Sequence, residues 1–139
     1  MDEELLQLFG RLDDPKWWEA PPGFDRTKAT QRVRSFVSEL NADLAEPATV
    51  ETGPAIQDAS FHSQVELPGG RLRFSSFGDM VAFTPDHEVP TELVKLVGLL
   101  APRHGYRLIP TEVLELPYTG RNPGVTGIAT WWSRFFDWV

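Results

Sequence analysis

Residues 58–84 read DASFHSQVELPGGRLRFSSFGDMVAFT, and this stretch decides the fold. From Ala59 to Leu67 apolar and polar residues alternate. Phe61, Val65 and Leu67 fall on one face and Ser60, His62, Gln64 and Glu66 on the other, the period of a half-buried strand. Pro68-Gly69-Gly70 is a turn signal. Arg71 to Phe77 alternates again, with Leu72 and Phe74 set between Arg71, Arg73 and Ser75. Gly78-Asp79 reads as a second turn, and Met80 to Phe83 as a third strand. A meander of this kind has an apolar face that must be covered, and the amphipathic segments on either side are its natural covers. The expected fold is a single α+β domain over residues 1–139: a central antiparallel sheet of three to five strands, with helices packed mainly on one face.

Upstream, Leu5, Leu8, Phe9 and Leu12 make a helical stripe, with Asp2, Glu3 and Glu4 at the end where the helix dipole favours carboxylates. Asp13-Asp14-Pro15 ends this helix. Residues 16–24, with Trp17-Trp18 and Pro21-Pro22-Gly23, are too rich in proline for a helix or a central strand. The two tryptophans are either a binding surface or a clamp that holds the N-terminal helix on the core. A long helix is predicted over 25–44. Asp25 is its N-cap, and Ala29, Val33, Phe36, Val37, Leu40 and Leu44 form its stripe. Arg26, Lys28, Arg32 and Arg34 crowd its first half, as an anion-binding start or as a solvated face paired with acids. Residues 45–57 read as a linker with a short strand at 49–51.

Downstream, Pro90 and Glu92 suit a first helical turn, and Leu93, Leu96, Val97 and Leu100 form a buried stripe ending at Pro102 and Gly105. A strand is predicted at 106–109, a helical turn at 110–116 and a loop over 118–127. The tail, 128–139, carries Trp131, Trp132, Phe135, Phe136 and Val139 against a polar arc of Ser133, Arg134 and Asp137. That arc favours a helix over a strand.

Composition narrows the function. The chain has 139 residues, a formal net charge of -7 and a pI near 4.9. A phosphate-tracking surface is basic, so nucleic-acid binding is disfavoured, and an acidic surface suits solubility or a basic partner. With no cysteine, disulfides, thiolate metal sites and cysteine nucleophiles are excluded. The acidic N-terminus and the lack of a long apolar run predict a cytoplasmic protein with no membrane association.

Catalytic signals are weak throughout. His62, His87 and His104 form no His-x-His or His-x-x-x-His pair, so neither a metal nor another cofactor is expected. His62 is read as lying on a solvent-facing strand edge, and His104 as a helix-end residue near free carbonyls. Ser60, Ser63, Ser75 and Ser76 lie outside any nucleophile-elbow motif. Asp79 could act as a base beside His62 across the sheet, though no spacing requires it. The glycines of 119–127 lack the lysine and following Ser/Thr of a phosphate loop.

Two stretches carry a family likeness. One runs from Pro117 through Gly120, Arg121, Asn122, Pro123 and Gly127 to Trp131, Trp132, Phe135, Phe136 and Asp137. The other is Arg73-Phe74-Ser75-Ser76-Phe77-Gly78. Over its second half the chain resembles small acidic bacterial proteins, and through them the immunity proteins of polymorphic-toxin systems. The resemblance implies tight, non-catalytic binding of a cognate toxin and assigns no residue a role. On this reading Trp17, Trp18, Glu19, Asp79, Asp86 and Glu88 are the candidate partner-binding residues, with acids meeting a basic surface and aromatics anchoring it. A second reading is a ligand-binding protein or enzyme whose site is lined by Tyr118, Arg121 and Asn122. A third is a structural subunit that buries its Trp-rich tail against a copy of itself.

Overall fold

A computed structural model describes residues 2–52, 56–120 and 128–138. The meander is the centre of an α+β domain. Strands β1 (Thr49–Thr52), β2 (Phe61–Leu67), β3 (Gly70–Ser75), β4 (Met80–Phe83) and β5 (Arg107–Leu108) form one sheet in sequence order. The first four pair antiparallel, whereas β5 joins β4 in parallel. A parallel return needs a crossover, and helix α3 (Thr91–Leu100) with the 3-10 turn Ala101–His104 provides it. The strand expected over 106–109 is thus shorter, and of the opposite sense to an antiparallel neighbour.

Alternation along β4 divides the core. Val81 and Phe83 belong to a cluster with Val65, Leu67, Leu72 and Phe74, covered by α3 and by α2 (Arg26–Asn41). This is the main helical layer. Met80 and Ala82 belong to a second cluster with Leu5 and Phe9 of α1 (Asp2–Leu12). Val113 and Leu114 of α4 (Thr111–Leu114) join it, as do the aromatic residues of α5 (Trp131–Phe135). The sheet is therefore covered on both sides, and several of its polar residues, Ser63, Gln64, Arg73 and Ser75, are buried.

Helix α2 begins as expected: the Asp25 side chain accepts a hydrogen bond from the Lys28 amide at 3.1 Å. It ends at Asn41 rather than 44. The amides of Ala42, Asp43 and Leu44 bond back three residues, and the Asn41 side chain accepts from the Ala48 amide at 2.8 Å, leading the chain into β1.

Two expectations about side-chain direction are corrected. In β2, Phe61 pairs with Ser75 and Ser63 with Phe74, so His62 is the extra residue of a β-bulge. The bulge moves Phe61 away from Val65 and Leu67, to lie against Arg73 and Trp138. It moves His62 onto the α2 side, beside Phe74 and Phe24. His62 is 3% exposed, and Ser60 and Gln64 are buried as well. None of the three faces solvent.

The tail differs in the same way. The α5 helix makes little more than one turn, capped by the Thr130 side chain, and Trp138 then forms an isolated bridge with Ala59. Arg134, placed in the polar arc, is 2% exposed.

Candidate functional site

Two adjoining concavities flank the N-terminal half of α2. The first is a cavity of ≈ 350 Å³ between the start of α2, the β2 bulge, the Ser75–Asp79 turn and Tyr106, closed on one side by Pro21 and Phe24. Arg32 organises its wall. Its Nε donates to the His104 carbonyl at 2.7 Å, its Nη1 donates to Asp79 Oδ1 at 2.6 Å, and its guanidinium lies 4.2 Å from the centre of the Tyr106 ring. Asp79 holds a left-handed backbone (φ 56°), which presents its carboxylate to Arg32. Gly105 (φ 79°) lets the chain pass Arg32, since a Cβ there would fall 2.5 Å from Nη2.

At the cavity's floor, His62 Nδ1 and Ser63 Oγ share a 2.8 Å hydrogen bond. Burial, and then the charges of Arg26 and Arg32, lower the His62 pKa to about 4, so the imidazole is neutral at pH 7. Burial pushes the Tyr106 phenol up to about 12, keeping it an O–H group. The hydroxyls of Tyr106 and Ser76, both buried, have no hydrogen-bond partner among the described residues.

The second concavity, ≈ 540 Å³, is a shelf formed by residues 17–24, and it shares Pro21 and Phe24 with the first. Its support is Arg134. Nε donates to Asp13 Oδ1 at 2.7 Å, and both partners are almost wholly buried. Nη1 donates to the Trp18 carbonyl at 3.1 Å, and Nη2 to the carbonyls of Trp17 at 2.7 Å and Asp14 at 3.3 Å. Asp13 also accepts from the Tyr118 hydroxyl at 2.5 Å. One cation thus fixes the backbone of a segment that has no regular structure. Trp17 stays 43% exposed on it, while Trp18 is half-buried with its ring 5.5 Å from the Arg134 guanidinium.

The candidate partner-binding residues separate into two places. Trp17, Trp18 and Glu19 line the shelf, and Asp79 lies on the rim of the adjoining cavity. Asp86 and Glu88 follow the other end of β4, where Asp86 is 3.4 Å from Arg71 and 3.2 Å from His87. Of the alternative ligand-binding set, Tyr118 packs on Trp131 and bonds Asp13, whereas Arg121 and Asn122 lie outside the described residues. Sequence reasoning missed Asp13 and Arg134. The available signal was a lone arginine among five apolar tail residues, together with an aspartate just past a helix end.

Among the described residues, no group of three His, Asp or Glu side chains is placed to hold a metal ion, and no helix is long and apolar enough to cross a membrane. No protein-family model, curated protein or solved structure matches the chain.

Proposed function

We propose that this protein is a non-catalytic protein-binding module that grips a basic protein partner in the cytoplasm, in the manner of a toxin-neutralising immunity protein. The observation that carries this reading is the shelf at residues 17–24. A buried arginine donates to the carbonyls of Trp17 and Trp18 there and of Asp14 just before it, and so holds the backbone beneath an exposed tryptophan. Desolvating a charge is costly, and a pair of this kind is better explained by geometric specificity than by stability. A rigid aromatic anchor loses little entropy on binding, and tryptophan is the residue type most enriched among binding hot spots. Glu19 on the shelf and Asp79 on the rim of the adjoining cavity, in a molecule of net charge -7, suit a cationic partner and hasten encounter.

The test is a binding assay between the purified protein and the purified products of the neighbouring reading frames. Binding at nanomolar to micromolar affinity, weakened roughly 100-fold or more by Trp17→Ala, is the expected result. If no such product binds, or if Trp17→Ala and Glu19→Lys leave the affinity untouched, this reading is wrong. Sedimentation of the protein alone, showing dimers that Trp138→Ala dissociates, would support self-association instead.

A further inference from the structure

We infer that the cavity between α2, the β2 bulge and Tyr106 takes a small uncharged ligand of the carboxamide class, a flat apolar body with a carbonyl acceptor and an N–H donor, and that His62 Nε2 donates to that carbonyl. The buried imidazole carries this site and the exposed Trp17 carries the shelf, so either reading can fail alone.

Ser63 is wholly buried, and among the described residues its hydroxyl has one partner, His62 Nδ1 at 2.8 Å. A buried O–H without an acceptor is costly, so Ser63 donates and Nδ1 accepts. The imidazole is neutral, and its one proton therefore sits on Nε2. Nε2 has no hydrogen-bond partner among the described residues, yet it is not one of the polar atoms that the fold seals from solvent. His62 lines the cavity and is otherwise buried, so the cavity is where this N–H opens. It calls for an acceptor, and the charges around it decide which kind. Lys28 and Arg32 line the cavity together with Asp25 and Asp79, two cations with two carboxylates, so no net field favours an ion. An ion would also give up its hydration to sit among groups of both signs. An amide carbonyl accepts without carrying a charge. The carboxylates supply the complement. Asp25 and Asp79 each commit one oxygen, to the Lys28 amide and to Arg32, and each keeps the other for a ligand N–H. Pro21, Phe24 and Ala29 give apolar walls, and the Phe24 ring centre lies 5.6 Å from that of His62, which suits a flat body. A volume of ≈ 350 Å³ falls at the small end of the range for ligand sites. The bulge that turns His62 inward and the left-handed Asp79 both belong to this wall, and irregularities of these kinds gather at binding sites.

Histidine-selective nitrogen NMR reads the tautomer directly. The His62 proton is expected on Nε2, and that nitrogen should shift when benzamide is added. A proton on Nδ1, or an unmoved Nε2, overturns the inference. Calorimetric titration then compares benzamide with acetophenone, toluene, benzoate and benzamidinium. Benzamide should bind best. Acetophenone keeps the carbonyl but lacks the N–H and should bind severalfold more weakly. Toluene has neither group, and it and both ions should bind roughly tenfold more weakly than benzamide. His62→Phe keeps a ring of similar size and removes the donor, so it should weaken benzamide roughly tenfold and leave toluene unchanged. If that variant does not fold, the tautomer and the Nε2 shift still decide the matter in the parent protein. Trp17→Ala should leave benzamide affinity unchanged. No binding of benzamide at up to roughly 10 mM overturns the inference. So does toluene or either ion binding as tightly as benzamide, or a folded His62→Phe binding benzamide as the parent does.

Discussion

His62 and Arg134 are both buried, and they are stabilised in opposite ways. His62 is kept neutral. Its pKa is about 4 in the folded protein and near 6.5 when unfolded, so between those values the unfolded chain binds more protons. Its contribution is fully present above about pH 6.5 and is lost as the pH falls towards 4, at most roughly 3 kcal/mol in total. Urea unfolding of the parent and of His62→Phe at pH 7.5 and pH 4.5 checks this. The stability lost on acidification should be smaller in the variant, and an equal loss in both would exclude His62 as the cause. Arg134 stays charged and is satisfied by four oxygens. Arg134→Met takes the charge partner away from the buried Asp13 carboxylate and should cost roughly 3–5 kcal/mol. Pairing it with Asp13→Asn should recover part of that loss. Limited proteolysis should show faster cleavage after Trp17 and Trp18 in Arg134→Met, because three carbonyls of the segment lose their donor.

At the scale of elements, the bulge in β2 and the left-handed residues beside α2 build the cavity. The bulge delivers His62 to the α2 side, and the Asp79 turn with the Gly105 turn brings two loops to one arginine. Gly105→Ala forces a Cβ into a left-handed backbone and towards Arg32. It should destabilise by roughly 1–2 kcal/mol from the backbone alone. The Gly105→Ala/Arg32→Ala double variant should show less than the sum of the two single effects, since removing the guanidinium removes the clash. Additivity would mean that Arg32 is not displaced. The Arg32–Asp79 pair itself is partly exposed and should be worth at most about 1 kcal/mol, so Asp79→Asn tests positioning more than stability. Helix boundaries were legible at this scale where caps and stripes agreed, as at Asp25 and Leu12. They were not legible at Asn41 and Phe136. There the stop is set by a side chain reaching Ala48 and by a bridge to Ala59, neither of which leaves a local sign.

For the whole molecule, charge and burial act together. Both faces of a short sheet are covered in a chain of net charge -7, so the acids are left largely at the surface. Association with a basic partner should therefore be fast at low salt and slow by tenfold or more towards 1 M salt, with a much smaller change in dissociation rate. Stopped-flow measurement across a salt series checks this, and a salt-independent association rate would point to apolar contacts alone. Of the six residues singled out for such a partner, folding places Trp17, Trp18 and Glu19 on a shelf that adjoins the cavity rimmed by Asp79, and leaves Asp86 and Glu88 at the far end of β4.

The order of the elements, the meander and the α+β class follow from the sequence alone. Periods of two and 3.6 residues, proline and glycine at the breaks and an aspartate cap are local properties that any short window displays. Tertiary structure alone decided that His62 turns inward, that Phe61 changes sides and that Arg134 is buried. A bulge is an agreement between two strands, so alternation within one strand cannot reveal it. The Arg134–Asp13 pair joins positions 121 residues apart, and the cost of burying its charge is offset only by carbonyls that folding brings there.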